Sequence, residues 1–313
     1  MKPRVCLSIG NTALKEAYGA IDYAKSKDVE FIELRFDTIA ETLRFNRRNF
    51  KIADSSEADS NGGNFNEESV LSEIKKIILY AKDKGIKTIG TNRDFFYDSN
   101  RRVSFLEKQK FIKQHTDAEI EEKGGKRSLN FADAGEDTAD ETKTGLEPQR
   151  IKFLKSVIES GIDICDIELD ILKSKIIKNF IEFAHSKKSQ VILSVHDFNG
   201  RIDLLDAVKY YLDSSYFKAD YFKLSDTVIS DEDVLSVSEK NIKIRFIKST
   251  DEKAFPEFII FGMGKKGTIT RASSLIKGSY MAYCSSPFGI TAPGQIEPDE
   301  LYEDVKFLSR TAQ

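Results

Sequence analysis

The residue least expected from its surroundings is Lys223, within Asp220-Tyr221-Phe222-Lys223-Leu224. Burial disfavours an ammonium, and a neutral amine in an apolar setting is the nucleophile that forms a Schiff base with a carbonyl compound. The structural alternative is a lysine that snorkels from the outer face of a strand. His196 ends another apolar run, Ser194-Val195-His196-Asp197-Phe198. Imidazole suits proton transfer near neutral pH, although a lone histidine is often structural. The other two histidines have weaker claims: His185 reads as a helix-end group and His115 as a solvated loop residue.

Charges also recur at alternate positions in Glu33-Leu34-Arg35-Phe36-Asp37 and in Asp166-Ile167-Glu168-Leu169-Asp170. Period two puts Glu33, Arg35 and Asp37 on one side of a strand, and the three acids of the second run on one side of another. Inward carboxylates need cationic partners or hydrogen bonds. Arg93 closes the run Thr91-Asn92-Arg93. Gly262-Met263-Gly264 and Gly267 precede Arg271. Glycines before a helix suit an anion, but this spacing matches neither a dinucleotide-binding pattern nor a P-loop. Arg271 itself can grip a carboxylate bidentately. Thr291-Ala292-Pro293-Gly294-Gln295 is a turn sequence that presents a hydroxyl and an amide. An amine nucleophile, an imidazole base and several guanidiniums describe Schiff-base chemistry on an anionic carbonyl compound, without naming it.

These residues fall in or after apolar, β-branched runs: Val5–Ile9, Phe31–Phe36, Thr88–Thr91, Ile164–Leu169, Val191–Val195, Tyr221–Leu224, Phe258–Phe261 and Tyr280–Tyr283. Runs apolar nearly throughout suit strands covered on both faces. Helical stripes alternate with them: Val70, Leu71, Ile74, Ile77, Ile78 and Ala81; Ile151, Leu154, Val157 and Ile158, stopped at Gly161; Ile176, Ile177, Phe180, Ile181 and Ala184; and a last helix from Pro298 through Leu301, Val305 and Leu308. Eight strand–helix units predict a parallel (β/α)8 barrel, an α/β fold, with a doubly wound open sheet as the runner-up. The catalytic groups of such a barrel stand at the C-terminal ends of its strands.

The 313 residues include 40% hydrophobic and 32% charged side chains, which excludes wholesale disorder. Two stretches break the alternation, 54–68 and 114–147. Both are polar and read as surface insertions within one barrel domain spanning 1–313. The second follows strand three, so its functional reading is a lid over the catalytic face and its plain reading an insertion without function. Lys and Arg total 48 against 51 Asp and Glu, a net charge of −3 that argues against a nucleic-acid binder carried by charge. No apolar run is long enough to span a membrane, and the start, Met1-Lys2-Pro3-Arg4-Val5, lacks a signal-peptide core, so a cytoplasmic protein is expected. Cys6, Cys165 and Cys284 read as buried free thiols. With three histidines and no Cys-x-x-Cys, no transition-metal site is expected.

Seven segments in order resemble the type I 3-dehydroquinases, the 3-dehydroquinate dehydratases of the shikimate pathway. They are Glu33-Leu34-Arg35, Asp166-Ile167-Glu168-Leu169, Ser194 to Phe198, Asp220 to Lys223, Gly262-Met263-Gly264 with Thr270-Arg271, Gly278-Ser279, and Ala292-Pro293-Gly294-Gln295. The resemblance covers nearly everything outside the two polar stretches. It implies a (β/α)8 barrel, often a homodimer, acting on 3-dehydroquinate without metal or cofactor. Lys223 would form an imine with the C3 ketone. His196 would take the C2 proton and assist loss of the C1 hydroxyl, giving 3-dehydroshikimate. Asp166 would help position the histidine, and Arg271 would bind the substrate carboxylate. Thr291, where the family usually has serine, would close the site with Gln295. Ser8, Glu33, Arg35 and Arg93 would hold substrate hydroxyls and order the site. The family commonly carries a Glu-Gly-Gly after the strand-three arginine, with the Glu supporting the histidine. Here Asp94-Phe95-Phe96-Tyr97-Asp98-Ser99 stands instead, leaving Glu122 of Glu122-Lys123-Gly124-Gly125, or Asp98, as candidate substitutes. The competing readings are another Schiff-base aldolase or transaldolase, and a non-catalytic barrel that binds a shikimate-type ligand.

Overall fold

The computed structural model describes residues 2–39, 67–93, 147–169, 172 and 174–311. Eight parallel strands and eight helices alternate along these residues. The strands are β1 (Val5–Ile9), β2 (Phe31–Arg35), β3 (Lys87–Thr91), β4 (Ile164–Glu168), β5 (Gln190–Asp197), β6 (Tyr221–Thr227), β7 (Glu257–Met263) and β8 (Ala282–Cys284). The helices are α1 (Glu16–Ser26), α2 (Glu67–Asp83), α3 (Glu147–Glu159), α4 (Ser174–Ser186), α5 (Leu204–Tyr216), α6 (Asp231–Thr250), α7 (Thr268–Ile276) and α8 (Pro298–Thr311). The strand order is β7-β6-β5-β4-β3-β2-β1-β8. At the seam between β7 and β8, the Tyr280 N–H bonds the Phe258 carbonyl at 2.7 Å. This is the expected (β/α)8 barrel, not an open doubly wound sheet.

Strand polarity follows from having two covered faces. One set of side chains, including Leu7, Leu34, Ile167, Leu193, Phe222 and Ile260, packs outward against the helices. The alternate set fills the barrel: Cys6, Phe31, Ile89, Ile164, Ile192, Tyr221 and Ile259 form an apolar floor. Above that floor the inward positions turn polar, with Ser8, Glu33, Thr91, Asp166, Ser194 and Lys223 all buried.

The predicted helical stripes face the core: Ile74, Ile77, Leu154, Val157, Ile177 and Phe180 are buried. Gly161 ends its helix with φ 95°, a conformation that favours glycine. The start of α6 is fixed by a capping box between Ser230 and Asp233. Most strand bounds shift by one to three residues, and three boundaries shift for a physical reason. Glu67 and Glu68 belong to α2 and Glu147 to α3, because their stripes extend one turn back into polar sequence. The eighth strand starts at Ala282 rather than Tyr280, since Tyr280 serves the β7 seam before β1 becomes the ladder partner. The remainder of 54–68 and 114–147, with Asp98, His115 and Glu122, lies outside the described residues, as does Asp170. The three cysteines are free and buried.

Candidate active site

A cavity of about 420 Å³ opens at the C-terminal end of the barrel. Nine of the ten candidate residues line it: Ser8, Glu33, Arg35, Arg93, His196, Lys223, Arg271, Thr291 and Gln295. Asp166, the tenth, stands directly behind Lys223.

Lys223 points into the barrel and is 3% exposed, so it does not snorkel. Its Nζ donates to Asp166 Oδ2 at 2.9 Å, lies 3.5 Å from Glu33 Oε1, and sits 4.0 Å over the Tyr283 ring. The two carboxylates compensate the burial of this nitrogen. They are held in turn: Ser194 Oγ donates to Asp166 Oδ1 at 2.5 Å, while Ser8 Oγ and Thr91 Oγ1 each donate to Glu33 at 2.8 Å. Burial pushes the Glu33 carboxyl up, but the charges of Lys223, Arg35 and Arg93 and the Ser8 hydroxyl outweigh it and hold it at about 2. Asp166 thus serves the lysine directly. Its link to His196 runs through Arg93, whose Nη2 is 3.9 Å from Asp166 Oδ2.

His196 is 8% exposed and stacks on Phe198, with ring centroids 5.9 Å apart. The two terminal nitrogens of Arg93 lie 2.8 Å from its two ring nitrogens. A guanidinium only donates and a neutral imidazole has one accepting nitrogen, so at most one of the two contacts is a hydrogen bond, and which ring nitrogen accepts it depends on the tautomer. Arg35 is committed to a bidentate pair with Asp37 at 2.9 and 2.5 Å, as the alternating charges of β2 suggested. Glu168 pairs with Arg150 of α3, which also donates to the Asn92 carbonyl at 3.1 Å.

Arg271 differs from these cations. It is fully buried, yet its partners among the described residues are carbonyls and a ring: Gly294 O at 2.8 Å, Tyr283 O at 2.9 Å, Pro293 O at 3.5 Å, and the Phe261 face at 4.7 Å. No carboxylate among the described residues pairs with it. Burial pushes its guanidinium down to about 10, which nearby Cys284 only partly offsets. A buried guanidinium of this kind on a cavity wall suits an anionic guest.

The loop after β8 completes the wall. Gln295 Oε1 accepts from Thr291 N at 2.9 Å, Thr291 Oγ1 at 3.2 Å and Ala292 N at 3.2 Å. Those backbone donors fix the amide oxygen and leave its NH2 group for a ligand. Gly294, with φ 78°, packs so tightly on the Gly264 carbonyl that a Cβ would lie 2.2 Å from it. Loop and β7 turn also meet where the Gly264 N–H bonds the Pro293 carbonyl at 3.1 Å.

Sequence reasoning passed over several cavity residues: Ser225, Thr227, Phe261, Met263, Tyr283 and Ile290. Alternation from Lys223 would have given Ser225 and Thr227, and the strand ends would have given Phe261 and Tyr283. Ile290 carries no local signal. Among the described residues, no group of three His, Cys, Asp or Glu side chains is arranged to hold a metal ion, and no helix is long and apolar enough to cross a membrane.

A family model described as type I 3-dehydroquinase matches residues 136–311. The chain is similar to the 3-dehydroquinate dehydratase of Clostridium kluyveri, 29% identical over 160 residues, covering 51% of this chain and 60% of that protein. It is likewise similar to that of Methanocaldococcus jannaschii, 30% identical over 160 residues, covering 51% of this chain and 67% of that protein. The match to the Clostridium relative thus spans less than two thirds of that relative's length. Among solved structures, the 3-dehydroquinate dehydratase of Geobacillus kaustophilus superposes with a TM-score of 0.67 at 18% identity, covering 100% of this chain and 93% of that one. The type I enzyme of Clostridium difficile, described with covalently modified comenic acid, gives 0.65 at 19% identity, covering 99% and 93%. At these identities the superpositions speak for the fold alone.

Proposed function

The chain belongs to the type I 3-dehydroquinase family, and from that premise we propose that it dehydrates 3-dehydroquinate to 3-dehydroshikimate, a hydro-lyase step of the shikimate pathway. One observation supports the reading above the others. A buried lysine flanked by two carboxylates, a histidine contacted by a guanidinium, and a buried arginine held by backbone carbonyls line or adjoin a single cavity.

The proposed chemistry follows from those groups. The substrate carboxylate takes the place that Arg271 leaves open, with the Gln295 amide and the Thr291 loop above it. The Lys223 amine adds to the C3 ketone while Asp166 and Glu33 accept from its nitrogen. The resulting protonated imine is an electron sink, so the neighbouring C2 proton becomes acidic enough for a neutral imidazole. His196 takes that proton and returns it to the departing C1 hydroxyl, which leaves as water. Hydrolysis of the imine frees the product. Ser8, Glu33, Arg35 and Arg93 hold the hydroxylated ring, and no metal or cofactor enters the scheme.

The test is to mix the protein with 3-dehydroquinate, add borohydride, digest it and weigh the Lys223 peptide. A reduced adduct on Lys223, with dehydroshikimate absorbance in the untreated sample, is the expected result. Absence of both adduct and product would overturn the assignment; cleavage of a sugar phosphate would favour an aldolase. Family resemblance also supports one barrel domain over 1–313, a cytoplasmic setting and a homodimer. Sedimentation equilibrium tests the last of these.

A further inference from the structure

Ser225 stands two residues beyond Lys223 on β6, so both side chains face the cavity. Its register partners are His196 on β5 and Phe261 on β7, while Lys223 is one step lower, opposite Ser194. The residue is fully buried. Other hydroxyls on this wall are engaged: Ser8 with Glu33 at 2.8 Å, Thr227 with the Asp197 carbonyl at 2.9 Å, and Thr291 with Gln295 at 3.2 Å. Among the described residues the Ser225 hydroxyl has no hydrogen-bond partner, and neither does that of Tyr283, whose ring already lies under the lysine nitrogen. A buried hydroxyl is normally satisfied. One left open between the nucleophile and the base, on the wall of a cavity, is satisfied by what enters that cavity.

We infer that the Ser225 hydroxyl holds the oxygen that leaves the substrate ketone during imine formation, and the water that returns to release the product. The inference rests on the Schiff-base reading above. The Lys223 ammonium first gives one proton to the adjoining Asp166 carboxylate, freeing a lone pair that forms the C–N bond as the carbonyl π pair moves to oxygen. That proton and a second of the three pass to that oxygen in turn. The nitrogen lone pair then forms the C=N bond as the C–O bond breaks. Ammonium plus ketone thus become protonated imine plus water, with charge and atoms conserved. Ser225 neither gains nor loses a proton overall; it donates to the departing oxygen and keeps it beside His196, which relays the protons. Ser225 is therefore proposed as a catalytic residue for the first and last steps, and not for proton abstraction at C2.

The experiment follows adduct formation by rapid mixing of 3-dehydroquinate with the wild-type chain, Ser225→Ala and Ser225→Thr, each quenched with borohydride. In parallel, loss of 18O from ketone-labelled 3-dehydroquinate is measured. Ser225→Ala should slow both trapping and 18O loss roughly tenfold, the size of one neutral hydrogen bond, with KM and thermal midpoint unchanged. Ser225→Thr, which keeps the hydroxyl, should restore most of the rate. Trapping at the wild-type rate in Ser225→Ala, or a change confined to KM, overturns the role of Ser225 while leaving the Schiff base intact. No adduct in the wild-type chain overturns the functional reading itself, and this inference with it.

Discussion

Lys223 and Lys240 are both buried lysines paired with an aspartate, and strand β6 lies between them. Lys223 projects from β6 into the barrel. Lys240, on α6, meets Asp226 on the outer face of the same strand, and both residues of that pair are fully buried. The outer pair is closed. Lys240 also reaches Ser236 Oγ at 3.1 Å, and Asp226 also accepts the Ile202 N–H at 3.1 Å. The inner lysine has two carboxylates, an aromatic floor, and a side that faces the cavity. The balance of forces differs as well. Burial pushes the Asp226 carboxyl up and Lys240 only partly offsets it, whereas around Glu33 the cations win. Burial therefore does not mark a lysine as a nucleophile. What sets Lys223 apart is access to a cavity and a second carboxylate, and the proposed Schiff-base role rests on these.

Exchanging each lysine for methionine separates the two roles. Lys223→Met should abolish the borohydride adduct and turnover, the largest effect expected anywhere in the chain. Lys240→Met should leave adduct formation in place but strand a buried carboxylate. The cost should be about 3–5 kcal/mol of stability in urea unfolding, much of it recovered in a Lys240→Met, Asp226→Leu double variant. If Lys240→Met loses its adduct while still folded, the contrast between a catalytic and a structural lysine is wrong.

This contrast also shows what the sequence could and could not disclose. Lys223 was conspicuous because it interrupts a short apolar strand, where period two leaves few places to put a charge. Lys240 was not, because α6 is rich in charge and its helical period hides one inward lysine among many outward ones. The strand count, the helical stripes and nine cavity-lining residues were legible for the same reason as Lys223: covered strands have little freedom of composition. Asp166 is legible as an inward carboxylate, but its direct contact with Lys223 is not. A strand pattern tells which side a carboxylate faces, not which of two neighbours it meets. Arg150 was missed because it reaches Glu168 from a different element at no fixed spacing. Ser225 was missed because a serine in a strand draws no notice until its hydroxyl is seen to lack a partner among the described residues.

Arg271 extends the comparison to a cation whose partners among the described residues are all neutral. In the proposed reading, Arg271→Ala removes a charge-assisted hydrogen bond to the substrate carboxylate, about 1.5–3 kcal/mol. KM should therefore rise roughly 10- to 150-fold, with a smaller change in kcat. Steady-state kinetics on 3-dehydroquinate decides it, and an unchanged KM removes Arg271 from that role. Arg35 offers the control. Its bidentate pairing with Asp37 means that Arg35→Ala also strands a buried acid, so stability should fall along with affinity.

The smallest expected effect bears most directly on the two lysines. Glu33 is held at about 2, against 4.5 for a free glutamate, and Lys223 is the strongest of the influences that lower it. A carboxylate depressed in the folded state stabilises the fold fully above its unfolded value. That contribution disappears as pH falls from about 4.5 toward about 2. Removing Lys223 lets the Glu33 carboxyl rise toward its unfolded value, so stability should fall less steeply with acid across that window. The change in slope is at most one proton, about 1.4 kcal/mol per pH unit. Lys240→Met should act in the opposite sense: without Lys240 the Asp226 carboxyl rises further above its free value of 3.8, so stability should recover as pH falls toward that value, while the Glu33 contribution below it stays as in the wild-type chain. Urea unfolding followed by circular dichroism between pH 2 and 6 measures all three chains. Equal slopes in the wild-type chain and Lys223→Met would mean that Arg35, Arg93 and Ser8 hold Glu33 without the lysine. The inner pair would then be electrostatically as closed as the outer one.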